Sequence, residues 1–229
     1  MRSTLRRLKT AGKVGFIASV SALSIGLAGA SADDFDIQVY GGLQGAPHST
    51  VSTSDGTEFT AGWEGNSFEM PLYLGARGVW WGAVDSMPDL GLSLDFTHAK
   101  VYADDETLAS TPGWTHFEFT DGLNLLTLNA LYRFPIENTS FTPYVGAGAG
   151  INVPHVEVTR PSGITSEYQI GGATLQAQAG IDYRLTDRWS VFAEYKGNYS
   201  FVNVDIDNNA TLDTNIWTNA VNFGVSFRF

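Results

Sequence analysis

The chain ends on AVNFGVSFRF, residues 220–229. Val221, Phe223, Val225, Phe227 and Phe229 are apolar, and Asn222, Gly224, Ser226 and Arg228 stand between them. A period of two is the signature of a β-strand whose two faces meet different media. The same alternation recurs seven times upstream. It runs through Phe35–Tyr40, Phe68–Arg77, Leu90–Thr97, Leu126–Phe134, Tyr144–Val153, Leu175–Arg184 and Trp189–Lys196. Eight strands are therefore expected. The connections between them alternate in length. VDSMPD, PIENTS and LTDR are short, whereas about 45–67, 103–122, 154–169 and 203–215 are long.

Short turns at one end and long loops at the other define an all-β fold, an eight-stranded antiparallel transmembrane barrel. The last strand must pair with the first, because an open edge in lipid leaves backbone groups unsatisfied. The apolar face then meets lipid, and the polar face fills a narrow interior. Arg77, Arg133, Arg184 and Arg228 carry the inward parity and are expected to pair with Asp36, Glu69, Asp95, Asp182 and Glu194. Gly146, Gly148 and Gly150 are expected to make room for Tyr40 and Tyr144. Trp80, Trp81, Tyr132, Phe134, Tyr183, Trp189, Phe227 and Phe229 gather at strand ends as a periplasmic aromatic girdle.

The other end of the chain agrees. Arg2, Arg6, Arg7, Lys9 and Lys13 precede an uncharged apolar run, Val14–Gly29, and the small-residue site Ala30-Ser31-Ala32. This pattern predicts a cleaved signal peptide over 1–32 and a barrel over 33–229. The full chain has 13 basic and 24 acidic residues. Without the five basic residues of the leader, the remainder carries 8 − 24 = −16. That charge excludes nucleic acid as a partner. The sequence contains no cysteine, so disulfide and thiolate chemistry are excluded.

Chemistry is sought on the long-loop side. All four histidines, His48, His98, His116 and His155, fall there, among Glu64, Glu69, Asp104, Asp105, Glu106, Glu118, Asp121 and Glu157. Two histidines and a carboxylate with open positions suit a redox metal and dioxygen. His98 and His155 share the parity of lipid-facing residues and stand where their strands leave the hydrocarbon. They are the first choices as base or metal ligand, with His48 third and Glu64, Asp104 and Asp105 as carboxylates. The remaining motifs carry less. Asp205–Asp213, DIDNNATLD, begins like a calcium loop but lacks its glycine and final glutamate. No serine sits in a nucleophile elbow.

The stretches YGGLQGAPHS, FTAGWEGNSFE, FTHAKVYADDET, FEFTDGLN, PYVGAGAG, NVPHVEV and NAVNFGVSF resemble the alphaproteobacterial outer-membrane lipid A oxidases, typified in rhizobia. The resemblance covers essentially all of the chain after the leader. It implies an oxygen-dependent oxidation of the proximal glucosamine of 1-dephosphorylated lipid A to 2-aminogluconate, with release of hydrogen peroxide. It implies lipid A, or lipopolysaccharide, as the partner, and it assigns no catalytic residues. The terminal Phe229 resembles the signal by which the outer-membrane assembly machinery recognises barrels. No side chain accepts two electrons conveniently, so such an activity calls for a divalent or redox metal ion or another cofactor. The competing class is a non-enzymatic barrel of the opacity or adhesin kind, acting through its loops.

Overall fold

The computed structural model describes residues 35–119 and 121–229; the expected signal peptide, 1–32, lies outside them. The strands are β1 (Phe35–Thr53), β2 (Glu58–Glu64), β3 (Leu74–Trp81), β4 (Leu90–His98), β5 (Val101–Ala103), β6 (His116–Phe119), β7 (Leu125–Arg133), β8 (Phe141–Asn152), β9 (His155–Arg160), β10 (Gly163–Tyr168), β11 (Gly172–Arg184), β12 (Trp189–Ile206) and β13 (Ala210–Arg228). A short helix, α1 (Asp105–Ser110), joins β5 to β6.

Eight of these strands close a ring in the order β1, β3, β4, β7, β8, β11, β12, β13, all antiparallel. The ring shuts between β1 and β13, from Asp36↔Arg228 through Gly45↔Asn219. At its seam the Phe229 amide donates to Phe35 O at 3.1 Å. The eight-stranded barrel expected from the alternation is therefore present.

The long connections are themselves largely ordered β-structure. Five further strands form an ordered storey above the barrel, in the order β10-β9-β6-β5-β2, continued by the upper halves of β1, β13 and β12. Gln169 couples the two margins of this storey. Its Nε2 donates to Asp205 O at 2.7 Å, and its Oε1 accepts from the Asp205 amide at 2.8 Å. The predicted strand at Phe68–Arg77 also shortens: β3 begins at Leu74, and 66–73 is a turn segment.

Strand β12 shows why the storey exists. Its even-numbered residues face inward throughout. Glu194, Lys196, Asn198 and Ser200 are buried and polar, then Val202, Val204 and Ile206 are buried and apolar. The outer face changes in the opposite sense, from exposed Tyr195 and Phe201 to exposed Asn203 and Asp205. Strand β13 inverts likewise: inward Asn222 gives way to Ile216 and Leu212, outward Phe223 and Trp217 to Asn215 and Asp213. A polar lumen with an apolar outside is the arrangement for lipid, and an apolar core with a polar outside is the arrangement for water. The inversion marks the level at which the strands leave the membrane.

The lumen is filled by a charge network. Arg77 Nη2 lies 2.8 Å from Glu194 Oε2, and Lys196 Nζ lies 2.6 Å from Asp95 Oδ2, all four side chains fully buried. The Tyr40 hydroxyl donates to Asp95 at 2.6 Å, and that of Tyr144 to Glu194 at 2.8 Å. Lys196 is thus a fifth inward cation that the arginine series overlooks. Room for the tyrosines comes from Gly75 and Gly180, where a Cβ would stand 2.1 Å from the Tyr40 ring and 2.6 Å from that of Tyr144. The glycines of β8 do not serve this purpose; a Cβ on Gly148 would meet Leu128 O and Asn129 instead.

The other arginines sit lower. Arg133 meets Asp89 in a periplasmic turn at 3.0 Å, and Arg228 meets Asp36 at 2.8 Å. Arg184 is exposed and, with Arg133, Arg188 and Arg228, lines a recess of about 340 Å³ that ends on Arg77 and Tyr144. Asp182 accepts from Ser190 Oγ at 2.6 Å rather than pairing with an arginine. Glu69 lies outside the lumen, and its carbonyl accepts from buried Lys100. The girdle rings pack on one another, Trp189 tilted against Phe227 and Tyr132 edge to face with Phe134. Trp81 departs from it: it is buried, donates to Asp36 at 2.9 Å and lies under Arg133.

At the top, Arg160 on β9 clamps Asp55, in the β1–β2 turn, and Asp207, in the β12–β13 turn. The Thr53 hydroxyl and Arg160 hold the Asp55 carboxyl below its ordinary 3.8. For Asp207, burial works upward, but the Ser162 and Arg160 hydrogen bonds outweigh it, and that carboxyl is also lowered. Carboxyls that are more acidic when folded stabilise the fold above their ordinary value and lose that contribution as pH falls through the lowered one. Limited proteolysis of the top turns is therefore expected to accelerate below about pH 4 in the native protein, and to be fast at every pH in Arg160→Ala.

Candidate metal centre on the extracellular storey

Strands β5, β6, β9 and β10 present alternate residues to the core and to the outside. Phe117, Phe119, Val156 and Val158 point in and are buried. His116, Glu118, His155 and Glu157 therefore point out. Pairing places Glu118 opposite Glu157, Tyr102 opposite Glu118, and Glu64 opposite Tyr102. A row Glu157–Glu118–Tyr102–Glu64 thus crosses four strands.

Around Glu157 two groups of donors meet. His116 Nε2 lies 3.1 Å from Glu118 Oε1 and 3.5 Å from Glu157 Oε2. His155 Nδ1 lies 2.9 Å from Glu157 Oε1 and 3.6 Å from Asp121 Oδ2. Within each triad, His116/Glu118/Glu157 and Asp121/His155/Glu157, one donor atom from every residue lies within 4.8 Å of the others. The Tyr168 ring packs on His155 at 4.5 Å. Burial and the charges of Glu118, Glu69, Asp121 and Glu157 push the Tyr102 phenol up to about 12. Donors of this mixed nitrogen and oxygen kind suit a first-row transition metal.

His155, expected from its parity, joins the centre on the outward face. His98 also faces outward, but it joins neither triad. Its Nδ1 lies 3.0 Å from Asn124 Oδ1, and its Nε2 is buried without a hydrogen-bond partner among the described residues. Both histidines nevertheless flank one turn, since the His155 amide donates to Gly122 O and the His98 ring lies under Gly122. Glu64 stands at the far end of the carboxylate row. Asp104 is committed elsewhere: it caps α1, accepting from the Thr107 amide at 2.8 Å, and the Thr107 hydroxyl, with that amide, lowers its pKa. Asp105 follows in the first turn of that helix. His48 sits at an irregularity of β1 between Ala46 and Ser49, in a recess with Tyr199 and Trp217.

His116, Glu118, Asp121 and Glu157 are the residues that sequence reading left among the solvated charges. The available signal was the phase of the storey: His-Phe-Glu-Phe and His-Val-Glu-Val each place a histidine and a glutamate on one polar face. Two such strands side by side make a cluster.

Comparison with solved structures supports the fold. Neisserial surface protein A superposes with a TM-score of 0.51 at 21% identity, covering 88% of this chain and 99% of that one. AlkL, whose structure was determined in lipid bilayers, gives 0.46 at 11% identity over 100% of this chain and 98% of its own. The N-terminal barrel domain of Pseudomonas aeruginosa OprF gives 0.42 at 15%, over 85% of this chain and 97% of that domain. No curated protein matches the sequence. Residues 16–229 match the family described as outer membrane protein beta-barrel domain. With its closed ring and lipid-facing belt, the chain belongs to that family and resides in the outer membrane.

Proposed function

We propose that this barrel is a lipid A-modifying enzyme that oxidises the proximal glucosamine of 1-dephosphorylated lipid A with dioxygen to 2-aminogluconate. The observation that carries the reading is the depth of the Glu157-centred cluster. Asp121 and His155 stand just above exposed Leu126 and Ile151, on the outer face, where the strands change from lipid-facing to water-facing. A lipid A sugar lies at that level, so it reaches the cluster without passing the filled lumen.

The reaction balances without another oxidant. The C1–H and O–H bonds of the anomeric carbon break, two electrons and two protons pass to dioxygen to give hydrogen peroxide, and water opens the resulting lactone. The cluster supplies histidine and carboxylate groups to take the hydroxyl proton, and its donor set suits a redox metal. The alternative is a non-enzymatic opacity- or adhesin-like barrel, favoured by exposed Ile164 and Ile170 at the rim of the storey.

Detergent-solubilised protein, given 1-dephosphorylated lipid A and oxygen, is expected to release peroxide and add one oxygen atom to the lipid. His155→Ala and Glu157→Gln are each expected to lower kcat/KM by about 10²-fold or more. A wild-type protein that releases no peroxide, with or without added metal, removes the enzyme reading and leaves the adhesin-like one.

A further inference from the structure

We propose that Glu157 bridges two divalent first-row transition-metal ions, one held by His116 and Glu118, the other by His155 and Asp121. This deepens the reading above by naming what the cluster holds, and it stands on geometry that involves no substrate. The two Glu157 oxygens are divided between the two sides: Oε2 faces His116 at 3.5 Å and Oε1 faces His155 at 2.9 Å. Each side adds one carboxylate of its own, Glu118 at 3.1 Å from His116 and Asp121 at 3.6 Å from His155. Donor atoms on adjacent corners of an octahedron with bonds of about 2.1 Å lie about 3 Å apart. The spacings from 2.9 to 3.6 Å are those of neighbouring ligands.

Two further observations point to cations. First, Glu118 and Glu157 stand directly opposite each other on adjacent strands. Like charges in that register destabilise a sheet. A shared pair of cations reverses the sign of the contact. Second, Nδ1 of His155 is buried and makes no hydrogen bond, although Glu157 Oε1 is only 2.9 Å away. The nitrogen is close to the carboxylate but off line for donating to it, as two ligands of one ion are. One histidine per ion with carboxylates excludes the all-oxygen preference of calcium and magnesium and suits manganese, iron or cobalt.

The test uses the full chain, purified in detergent, stripped with EDTA, equilibrated with Mn²⁺ and washed. Wild type is expected to retain two manganese ions per chain and to give an exchange-coupled paramagnetic resonance spectrum. Glu118→Gln is expected to retain one ion with the six-line spectrum of isolated Mn²⁺, and Glu157→Gln to lose both. A wild type that keeps no ion, one ion or two uncoupled ions overturns the proposal, as does Glu157→Gln that keeps two. The heat-dependent gel shift of a folded barrel verifies each variant, and the wild-type measurement decides even where a variant fails to fold. Two coupled ions without peroxide release would strike the lipid A reaction and leave the metal centre; peroxide release from a protein that binds no manganese would do the reverse.

Discussion

Arg77→Ala is expected to destabilise the barrel by about 3–5 kcal/mol, the cost of leaving a buried charge without its partner. The network around Arg77 is closed and neutral: Arg77 and Lys196 balance Asp95 and Glu194. Arg77 also donates to Gln38 and Tyr144 and lies 5.1 Å from the centre of the Phe192 ring. Removing it leaves two carboxylates facing one ammonium with no water to solvate the excess. Arg77→Ala combined with Glu194→Gln restores neutrality and should be at least about 1 kcal/mol less damaging than the single change. Arg133→Ala should cost under about 1 kcal/mol, because its pairing with Asp89 is part-exposed. Urea unfolding in detergent, followed by the heat-dependent gel shift, measures all three. Equal losses for Arg77→Ala and Arg133→Ala would show that the Arg77 network does not hold the barrel.

The barrel was legible because lipid imposes a single rule on every membrane-spanning strand, and parity carries that rule. Parity also placed Arg77, Asp95 and Glu194 inside. Parity alone does not give height along the barrel axis: Arg133 and Arg184 share the inward parity of Arg77 and line the recess at the periplasmic mouth, whereas Arg77 is fully buried against Glu194. The upper storey was hidden by its inversion. Val202, Val204 and Ile206 continue the inward phase of Glu194 and Lys196, but their apolar character looks like a break in pattern to a reader who expects lipid outside. Once water replaces lipid, the same phase requires the opposite residues. The signal was the phase, and it was present throughout.

The site was half legible for a related reason. His155 was visible as a histidine with outward parity just past a membrane strand. Its partners come from β6 and from the turn after it, and cross-strand neighbours cannot be read from spacing while the strands themselves are taken for loops. His98 carries the same local signal as His155 and differs only in what packs on it: Gly122 and Asn124 cover its ring. Asp104 looked available as a ligand because a helix cap and a free carboxylate are indistinguishable until the helix is placed.

Phe117→Ala is expected to dissolve the storey while sparing the barrel. Phe117 is 2% exposed and touches four rings: Phe59 at 6.2 Å, Trp63 at 5.2 Å, Trp114 at 5.4 Å and Phe119 at 5.6 Å between centroids. Truncating a buried phenylalanine costs about 3–5 kcal/mol through lost transfer energy and a cavity. The edge-to-face pairs that vanish with it add to that loss. Strands β2, β5, β6 and β9 have no part in the lipid-spanning ring, and the core that takes the loss is theirs together with the upper ends of β1, β12 and β13, Leu125 at the start of β7, and Tyr73, Ala99, Trp114 and Leu123. The gel shift of the barrel should persist, whereas trypsin should cut after Lys100, which is buried in the intact protein. Because Phe117 lies between His116 and Glu118 on β6, manganese binding and peroxide release should vanish together with protease resistance. If Phe117→Ala keeps its resistance to trypsin, the storey is held by its turns and by Arg160 rather than by its core; if it loses resistance yet keeps both bound ions, the ligands do not depend on the sheet that aligns them.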